Sequence, residues 1–477
     1  MSLRSRVMVG LGWTAGSNLL GQIITWIITI VVMRILSPSD YGLLAMASIF
    51  VAFLSLMASA GLGPAIVQAS NIDDAKLRQL LGLITILNVA LFLLLFAAAP
   101  LIAGYFEEPR LVAIVRVLSS QFLFSGFAVI PESLLGRELK FKSRALVDLA
   151  SNVAGGGVNL VLALSGYGVW SLVAGGMVSG IGKVVGLNIV APYLRWPDFS
   201  LRGTRTLLAF GGNVTAARLL WFFYSQADIF IAGKLLGKEA LGYYSVAMHL
   251  ASLPVQRISG ILNQVAFPAF AHAQRESQMV AEHFLKAVRL LSFFAFPLFW
   301  GISSVAPELV RLLLGAKWEA AVLPLQILPA IMPLRIISSF LPAALEAIGR
   351  PDISVRNLVA ACVVMPIAFI IGSRWGMEGL CLAWLVGLPV VFIGNLLRAL
   401  PAIGIKLAAV GRAMAWPALA SAMMYASVTL VGNGLLEQAA NEEKLALMIL
   451  VGVTVYGILV ATTNRDGWKL VRQTLRR

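Results

Sequence analysis

The chain contains the segment Arg34-Ile-Leu-Ser-Pro-Ser-Asp-Tyr-Gly42-Leu-Leu-Ala-Met-Ala, and about two hundred residues later it reads Lys234-Leu-Leu-Gly-Lys-Glu-Ala-Leu-Gly242-Tyr-Tyr-Ser-Val-Ala. Each segment starts with a cation, reaches a glycine and continues into small and apolar residues. Two more pairs follow in the same order, namely Gly136-Arg137 with Gly349-Arg350 and Gly166-Tyr-Gly168 with Arg374-Trp-Gly376. Matches in a conserved order along one chain indicate an internal repeat.

The composition decides the class of protein that surrounds this repeat. Of the 477 residues, 59% are hydrophobic and 12% are charged, and the mean hydropathy is +0.88. A soluble protein of this length needs more polar residues to cover its surface. The composition therefore excludes a soluble enzyme, a nucleic-acid binder and a disordered chain, and it indicates a helical integral membrane protein. The two cysteines, Cys362 and Cys381, lie in apolar segments and predict neither a disulfide framework nor a metal site.

A helix needs about 20 apolar residues to cross the hydrocarbon core of a bilayer. Fourteen stretches meet this requirement: 9–33, 42–66, 80–103, 111–135, 145–164, 168–192, 206–232, 241–267, 284–305, 320–346, 354–372, 377–397, 407–431 and 445–463. The short connections leave no room for a soluble domain, so any catalysis would have to occur within the membrane part. The sequence contains no phosphate-binding loop and no paired-carboxylate or nucleophile-base pattern, so we expect no enzymatic activity and no cofactor.

We therefore expect an all-α integral membrane protein with about 14 transmembrane helices. Residues 1–200 form a first lobe of spans 1–6, residues 201–402 a second lobe of spans 7–12, and residues 403–477 a C-terminal helix pair with a basic tail. Because six spans return the chain to the same side, the repeat predicts two lobes related by a pseudo-two-fold axis along the membrane normal.

We attribute the net charge of +15 to the orientation of the protein in the membrane rather than to nucleic-acid binding, because cytoplasmic loops are rich in Lys and Arg. With the N-terminus in the cytoplasm, 24 of the 37 Lys and Arg residues fall on cytoplasmic segments and 9 on the opposite side. This asymmetry over short loops predicts that both termini are cytoplasmic.

Four cations remain inside the predicted spans, and topology does not require them there. They are Lys183, Arg218, Arg257 and Arg335. One acid, Asp228, lies deep in the seventh span. A charge in the membrane normally faces a cavity or a partner. An excess of cations suits a diphosphate, since guanidinium groups pair with phosphate oxygens, and it suits a cationic drug poorly.

Three of these residues, Lys183, Arg257 and Asp228, also have a simpler interpretation. Lys183 and Arg257 have side chains long enough to reach the cytoplasmic headgroups. Asp228 is either a structural partner or a site that couples transport to an H⁺ or Na⁺ gradient. It lies about 80° from Arg218 on the helical wheel, which disfavours pairing within the helix.

The segment Arg34-x-Leu-x-Pro38-x-Asp40-Tyr41-Gly42, together with the span plan, resembles the Wzx-type polysaccharide flippases of the multidrug/oligosaccharidyl-lipid/polysaccharide exporter superfamily. The resemblance covers essentially the whole chain. It makes Arg34, Pro38, Asp40, Tyr41 and Gly42 the family loop motif. A local alternative is that Arg34 and Asp40 only cap the loop.

The resemblance implies a multi-pass protein of the bacterial inner membrane that works by alternating access. Its substrate would be an undecaprenyl-diphosphate-linked oligosaccharide, turned to the periplasmic face for assembly of exopolysaccharide, O-antigen or capsule. Expected partners are membrane lipids and the polymerase and chain-length regulator of the same pathway. Two alternatives from the same superfamily stay open, an ion-coupled multidrug antiporter and a lipid II flippase. Spans 13 and 14 count against the antiporter, which usually has twelve.

Overall fold

The computed structural model describes residues 21–22, 24–58, 63, 66, 73–138, 140–200, 205–272, 277–435 and 440–463. Side chains are described in these ranges except at 205–217, 256–278 and 435. The described residues form helices and no strand. Contacts between Cα atoms divide the chain into two compact units, Met1–Gly242 and Tyr243–Arg477.

The first unit consists of apolar helices joined by short turns. They are α1 (Ile24–Ile35), α2 (Pro38–Ala58), α3 (Asp74–Phe106), α4 (Leu111–Ser119), α5 (Gln121–Arg137), α6 (Phe141–Leu164) and α7 (Val169–Val190). The next helix, α8 (Arg205–His272), enters the second unit, and its regular geometry is interrupted at Gly237 (φ 78°, ψ 178°). Positive φ is accessible to glycine because it has no Cβ, so the chain can turn there.

The second unit continues with a further set of helices. They are α9 (Ser277–Ser304), α10 (Ala306–Leu313), a 3₁₀ helix (Ala316–Ala321), α11 (Val322–Ser338), α12 (Leu341–Ala347), α13 (Pro351–Gly372), a 3₁₀ turn (Ser373–Trp375), α14 (Gly376–Ile403), α15 (Leu407–Leu430), a π-helical turn (Val431–Leu435) and α16 (Asn441–Thr463).

Eleven helical segments of the described chain are long and apolar enough to span a membrane. Among them, the segment Arg218–Val255 is interrupted at Gly237 and the segment Pro351–Ile403 at Ser373–Trp375. The shorter apolar helix Ile24–Ile35 overlaps the C-terminal part of the predicted first span. The all-α membrane fold is thus confirmed, whereas the count of fourteen spans and the lobe boundaries stay predictions. The basic tail lies outside the described residues.

Small residues bring α6 and α7 close together in the first unit. A Cβ on Gly186 would lie 2.7 Å from a methyl carbon of Val147, and one on Gly182 would lie 3.3 Å from the Ser151 hydroxyl oxygen. Such contacts between small residues replace the hydrophobic driving force that helices lack in lipid. The resulting close approach fixes which residues of the two helices face each other.

Two prolines interrupt the backbone hydrogen bonds of α11 in the second unit. Pro329 and Pro333 lie inside α11, and side chains of α9 bond to the carbonyls of this kinked stretch. The indole Nε1 of Trp300 donates to the Ala330 carbonyl at 3.0 Å, and the Ser303 hydroxyl donates to the Gln326 carbonyl at 2.5 Å. Neighbouring side chains commonly satisfy backbone groups near prolines in membrane helices.

Candidate functional site

The family loop motif forms the start of α2. Pro38 is its first residue, where a missing N–H costs nothing. The Ser37 backbone N–H and hydroxyl donate to the Asp40 carboxylate at 3.0 and 2.6 Å, and the Asp40 N–H donates back to the Ser37 hydroxyl at 3.4 Å. This reciprocal pair is a capping box, here with Asp in the place of Glu. Asp40 and Pro38 therefore shape the turn between α1 and α2.

The other motif residues pack this turn against its surroundings. Tyr41 contacts the cluster formed by Val32, Leu36 and Ala163. Gly42 lies directly against the backbone of Lys238. A Cβ on Gly42 would overlap the Lys238 carbonyl oxygen. Arg34 is exposed.

The two copies of the repeat contact each other through equivalent positions. Just as Gly42 lies against the Lys238 carbonyl, Gly242 lies against the Pro38 carbonyl, where a Cβ would again overlap the oxygen. Within the repeat, Gly42 corresponds to Gly242 and Pro38 to Lys238. The contact thus has the two-fold symmetry of an isologous interface. We call the contact of segments 36–42, 105–108 and 230–242, all in the first unit, the loop junction.

Two acids at the end of α3 pair with the lysines of the second repeat. The Lys234 ammonium donates to the Glu107 carboxylate at 2.7 Å, and Lys238 pairs with Glu108, which also accepts from Arg110 Nε at 3.1 Å. The hydrogen bond from Lys234 lowers the pKa of the Glu107 carboxyl. Burial raises the pKa of Glu108, but the bonds from Lys238 and Arg110 outweigh it and the pKa is lowered. Both acids therefore stay ionised and paired at neutral pH.

Aromatic rings lie beneath these ion pairs. Tyr105 stacks on Phe230 with a centroid separation of 4.9 Å, and the Lys234 ammonium lies 5.4 Å from the centre of the Tyr105 ring. Phe106 meets Phe50 edge to face at 6.1 Å. The segments of the loop junction follow odd-numbered predicted spans, so their location on the periplasmic side stays a prediction. The junction combines an apolar layer with a charged layer.

On the predicted cytoplasmic side, Lys183 belongs to a cluster of four charges on three helices. Its ammonium lies 3.3 Å from the Glu132 carboxylate and 3.3 Å from the Asp148 carboxylate. Arg144 pairs with Glu132, and its Nε lies 4.0 Å from Asp148. We call Glu132, Arg144, Asp148 and Lys183 the four-charge cluster. The charge of Lys183 is therefore balanced, and the excess of positive charge predicted from sequence is smaller at this position.

Arg335 has a different environment in the second unit. Its guanidinium carbon lies 5.3 Å from the centre of the Trp384 ring, and its Nη1 lies 3.9 Å from the Met248 sulfur. Trp384 is buried and donates its Nε1 proton to the Tyr244 hydroxyl at 2.7 Å. Among the described side chains, no carboxylate lies within ion-pair distance of Arg335. This half-buried cation is held by a ring face, which leaves its donors available to an anion.

The remaining predicted site residues lie apart from these clusters. Arg218 is exposed at the start of the described side chains of α8. The side chain of Arg257 lies outside those that the structure describes. Asp228 is 2% exposed, and its carboxylate accepts from the Ile229 N–H at 2.8 Å. Their proposed roles stay predictions. Across the described residues, no group of three His, Cys, Asp or Glu side chains could hold a metal ion.

Sequence reasoning missed Glu132, Arg144 and the pair Glu107-Glu108 as parts of these sites. Their positions near span ends made them look like solvated boundary residues. A signal for Glu107 and Glu108 was present, because these adjacent acids follow one odd-numbered predicted span, and Lys234 and Lys238 follow another.

Comparisons with known proteins agree with this architecture. A model of the family described as "Polysaccharide biosynthesis protein" matches residues 31–323. The teichuronic acid biosynthesis protein TuaB of Bacillus subtilis is 27% identical over 357 residues, which cover 74% of each chain. The lipopolysaccharide biosynthesis protein WzxC of Escherichia coli is 24% identical over 392 residues, covering 81% of this chain and 79% of its own.

A solved structure shows the same fold over almost the full length. The lipid II flippase MurJ in an inward closed conformation superimposes with a TM-score of 0.75 and 16% sequence identity, covering 95% of this chain and 99% of its own. The apolar helices and this likeness together make the chain a multi-pass membrane protein.

Proposed function

The chain belongs to the polysaccharide biosynthesis protein family, and from this premise we propose that it is a flippase for lipid-linked oligosaccharides. It moves an undecaprenyl-diphosphate-linked repeat unit from the cytoplasmic to the periplasmic leaflet of a bacterial inner membrane. The product enters assembly of exopolysaccharide, O-antigen or capsule. Both termini are cytoplasmic, and the chain makes or breaks no covalent bond of its substrate.

The environment of Arg335 carries the choice of an anionic substrate. A guanidinium inside a membrane protein needs a partner, and here the partner is the face of Trp384 rather than a carboxylate. The nitrogen donors that the ring does not use are suited to the oxygens of a diphosphate, which they bind in a planar fork. A cationic drug would be repelled. Arg218 and Arg257 are further candidates for the same role.

The loop junction provides a closure on the predicted periplasmic side. Its contacts are backbone against glycine, partly exposed ion pairs and aromatic contacts, and among the described residues no covalent link holds it. Contacts of this kind are individually weak and can separate as a unit. In the proposed cycle the junction is closed while substrate loads from the cytoplasm and separates when the sugar is released to the periplasm.

Asp228 is the candidate for coupling transport to an ion gradient. Its carboxylate is 2% exposed in α8, the helix that also carries the second repeat segment. A buried carboxylate in a membrane helix changes its energy strongly on taking up H⁺ or Na⁺. No other cofactor is needed.

The pathway supplies the other proposed partners. The repeat unit released at the periplasmic face is a substrate for a polymerase, and a chain-length regulator acts on the same polymer. Residues 1–200 and 201–402 remain the proposed transport lobes, with 403–477 as the additional helix pair.

Complementation tests the function directly. A strain that lacks its repeat-unit flippase is given this chain, and surface polymer is measured by immunoblot together with the lipid-linked precursor retained inside. We expect polymer to return and the precursor to fall, and the variant Arg335→Ala to fail while present at normal abundance. If the chain alters drug susceptibility or ion flux but restores no polymer with several repeat-unit structures, an antiporter function replaces this proposal.

A further inference from the structure

The four-charge cluster lies inside the membrane-spanning part of the first unit. Asp148 is seven residues after the start of α6, and Lys183 is seven residues before the end of α7. At 1.5 Å per residue, both lie about 10 Å from their helix ends on the predicted cytoplasmic side. Glu132 is five residues before the end of α5 and Arg144 three residues after the start of α6, so all four charges lie about 5–10 Å from helix ends on that side.

The cluster is accessible, although it is within the span. The exposed fraction of the side chain is 26% for Glu132, 41% for Arg144, 36% for Asp148 and 35% for Lys183. Charges that face lipid at this depth are costly, whereas charges that face water or a polar ligand are tolerated. We therefore expect the exposed side of the cluster to face water or polar headgroups rather than lipid chains.

A polar pair extends the cluster by one turn toward the membrane centre. Asn152 lies four residues after Asp148, and Ser179 lies four residues before Lys183. The Ser179 hydroxyl donates to the Asn152 side-chain carbonyl at 3.0 Å, and Asn152 is exposed. Amide and hydroxyl groups are suited to hydrogen bonds with sugar hydroxyls, and the charges lie nearer the predicted cytoplasmic side.

The cluster is not needed to hold its helices together. The contacts of Gly182 with Ser151 and of Gly186 with Val147 already pack α6 against α7 at the same level. Ion pairs that are this exposed contribute little to stability. The residues are thus free to exchange partners without loss of the fold.

We propose that Arg144 and Lys183 bind the diphosphate of the substrate, and that Glu132 and Asp148 occupy the same cations as exchangeable counter-ions when substrate is absent. A diphosphate esterified at both ends carries two ionised oxygens, the same charge as the two carboxylates that it displaces. The exchange keeps the cluster neutral in both states, so neither state leaves an unpaired charge in the span. This inference rests on the proposed function, since it names the residues that receive the substrate.

Binding measurements on the purified protein in lipid nanodiscs test the exchange. The probes are inorganic diphosphate and undecaprenyl diphosphate, titrated against wild type and single variants. Because the carboxylates compete with the ligand, we expect Glu132→Gln and Asp148→Asn to bind both probes about tenfold more tightly. Arg144→Ala and Lys183→Ala are expected to bind about tenfold more weakly.

The sign of the change for the acidic variants distinguishes exchange from a structural role. A purely structural cluster predicts a lower melting temperature and unchanged or weaker binding for Glu132→Gln, and that result would overturn the proposal. Lys142→Ala is the matched control, because Lys142 is a cation on the same helix, about 200° around the axis from Arg144. It should bind like wild type.

Two further arms separate this inference from the function as a whole. Ser179→Ala should leave the affinity for inorganic diphosphate unchanged and weaken binding of a lipid-linked oligosaccharide. If it weakens binding of inorganic diphosphate as well, the assignment of sugar contacts is wrong. If wild type restores polymer in cells and Arg144→Ala with Lys183→Ala restores it equally, the cluster is not the diphosphate site while the flippase function stands. If wild type itself restores no polymer, the function fails.

Discussion

Gly42 and Lys238 meet through backbone, with the α-carbon of Gly42 directly against the carbonyl oxygen of Lys238. The repeat-related contact, Gly242 against the Pro38 carbonyl, completes a symmetric pair. Any side chain at either glycine would occupy the position of the opposing carbonyl. The family loop motif therefore ends in glycine for a reason of tertiary packing, whereas its proline and aspartate, together with the neighbouring Ser37, shape the local turn.

Adding one methyl group at this contact should prevent the loop junction from closing. For Gly42→Ala we expect a loss of about 1–3 kcal/mol of stability, since an overpacked contact forces backbone shifts. Thermal unfolding in detergent and complementation of export both report it.

The control for this prediction is Gly104→Ala. A Cβ on Gly104 meets nothing within 4 Å, and the residue lies in α3 close to the junction. Alanine is the better helix former, so this variant should be as stable as wild type or more stable. Equal stability of Gly42→Ala and Gly104→Ala would show that the glycine contact is dispensable.

Locking the junction should stop transport. In the double variant Glu107→Cys and Lys234→Cys, the two cysteines replace a pair whose charged atoms are 2.7 Å apart. Because the cysteine side chains are shorter than the Lys and Glu that they replace, a bifunctional methanethiosulfonate reagent is used to bridge them. We expect the cross-link to stop polymer export, and a reductant that cleaves it to restore export. The single-cysteine variants are the controls. Continued export in cells with complete cross-linking would contradict a junction that must open.

The pKa of Glu107 should reveal the contact with Lys234. The hydrogen bond from Lys234 lowers the pKa of this carboxyl, so its stabilising effect is present above the unfolded-state pKa and is lost as pH falls through the lowered value. Carbon-13 NMR of labelled glutamate, assigned with Glu107→Gln, measures the titration. In Lys234→Met the pKa should return toward the ordinary value. An unchanged pKa in that variant would show that Lys234 is not the cause.

Glu308 and Lys444 form a buried ion pair in the second unit, with 2.9 Å between the charged atoms. It ties α10 to the start of α16. Removing one partner leaves the other charge buried and unpaired, so Lys444→Met should cost about 3–5 kcal/mol of stability. Chemical unfolding in mixed micelles measures this change.

Two comparisons make the result specific to burial. The double variant Glu308→Leu with Lys444→Met should recover most of the loss, because no buried charge remains. Glu319→Gln breaks the exposed pair with Arg311 and should cost less than about 1 kcal/mol. If the exposed and the buried variants lose equal stability, burial does not set the strength of the pair.

Much of the fold follows from local sequence. Runs of apolar residues predict helices because a backbone in lipid must satisfy its own hydrogen bonds. The repeat of residues 34–47 at 234–247 predicts that both segments serve equivalent turns, and the capping box of Ser37 and Asp40 needs only neighbours within one turn.

The site residues depend on information that a linear pattern lacks. The sequence identifies Lys183 as a cation in a span. Its contacts with Glu132 and Asp148 depend on how three helices are rotated about their axes, which the sequence pattern does not give. In the same way, only packing in three dimensions places Arg335 over Trp384.

The sequence by itself determined the class of protein, the repeat and the short-range geometry of the loop motif, because composition, periodicity and capping act over one or a few helical turns. The tertiary structure alone decided which charges are neutralised and why Gly42 and Gly242 are glycine. Those properties depend on distances between residues far apart in the chain, which are fixed by helix packing and not by local preference.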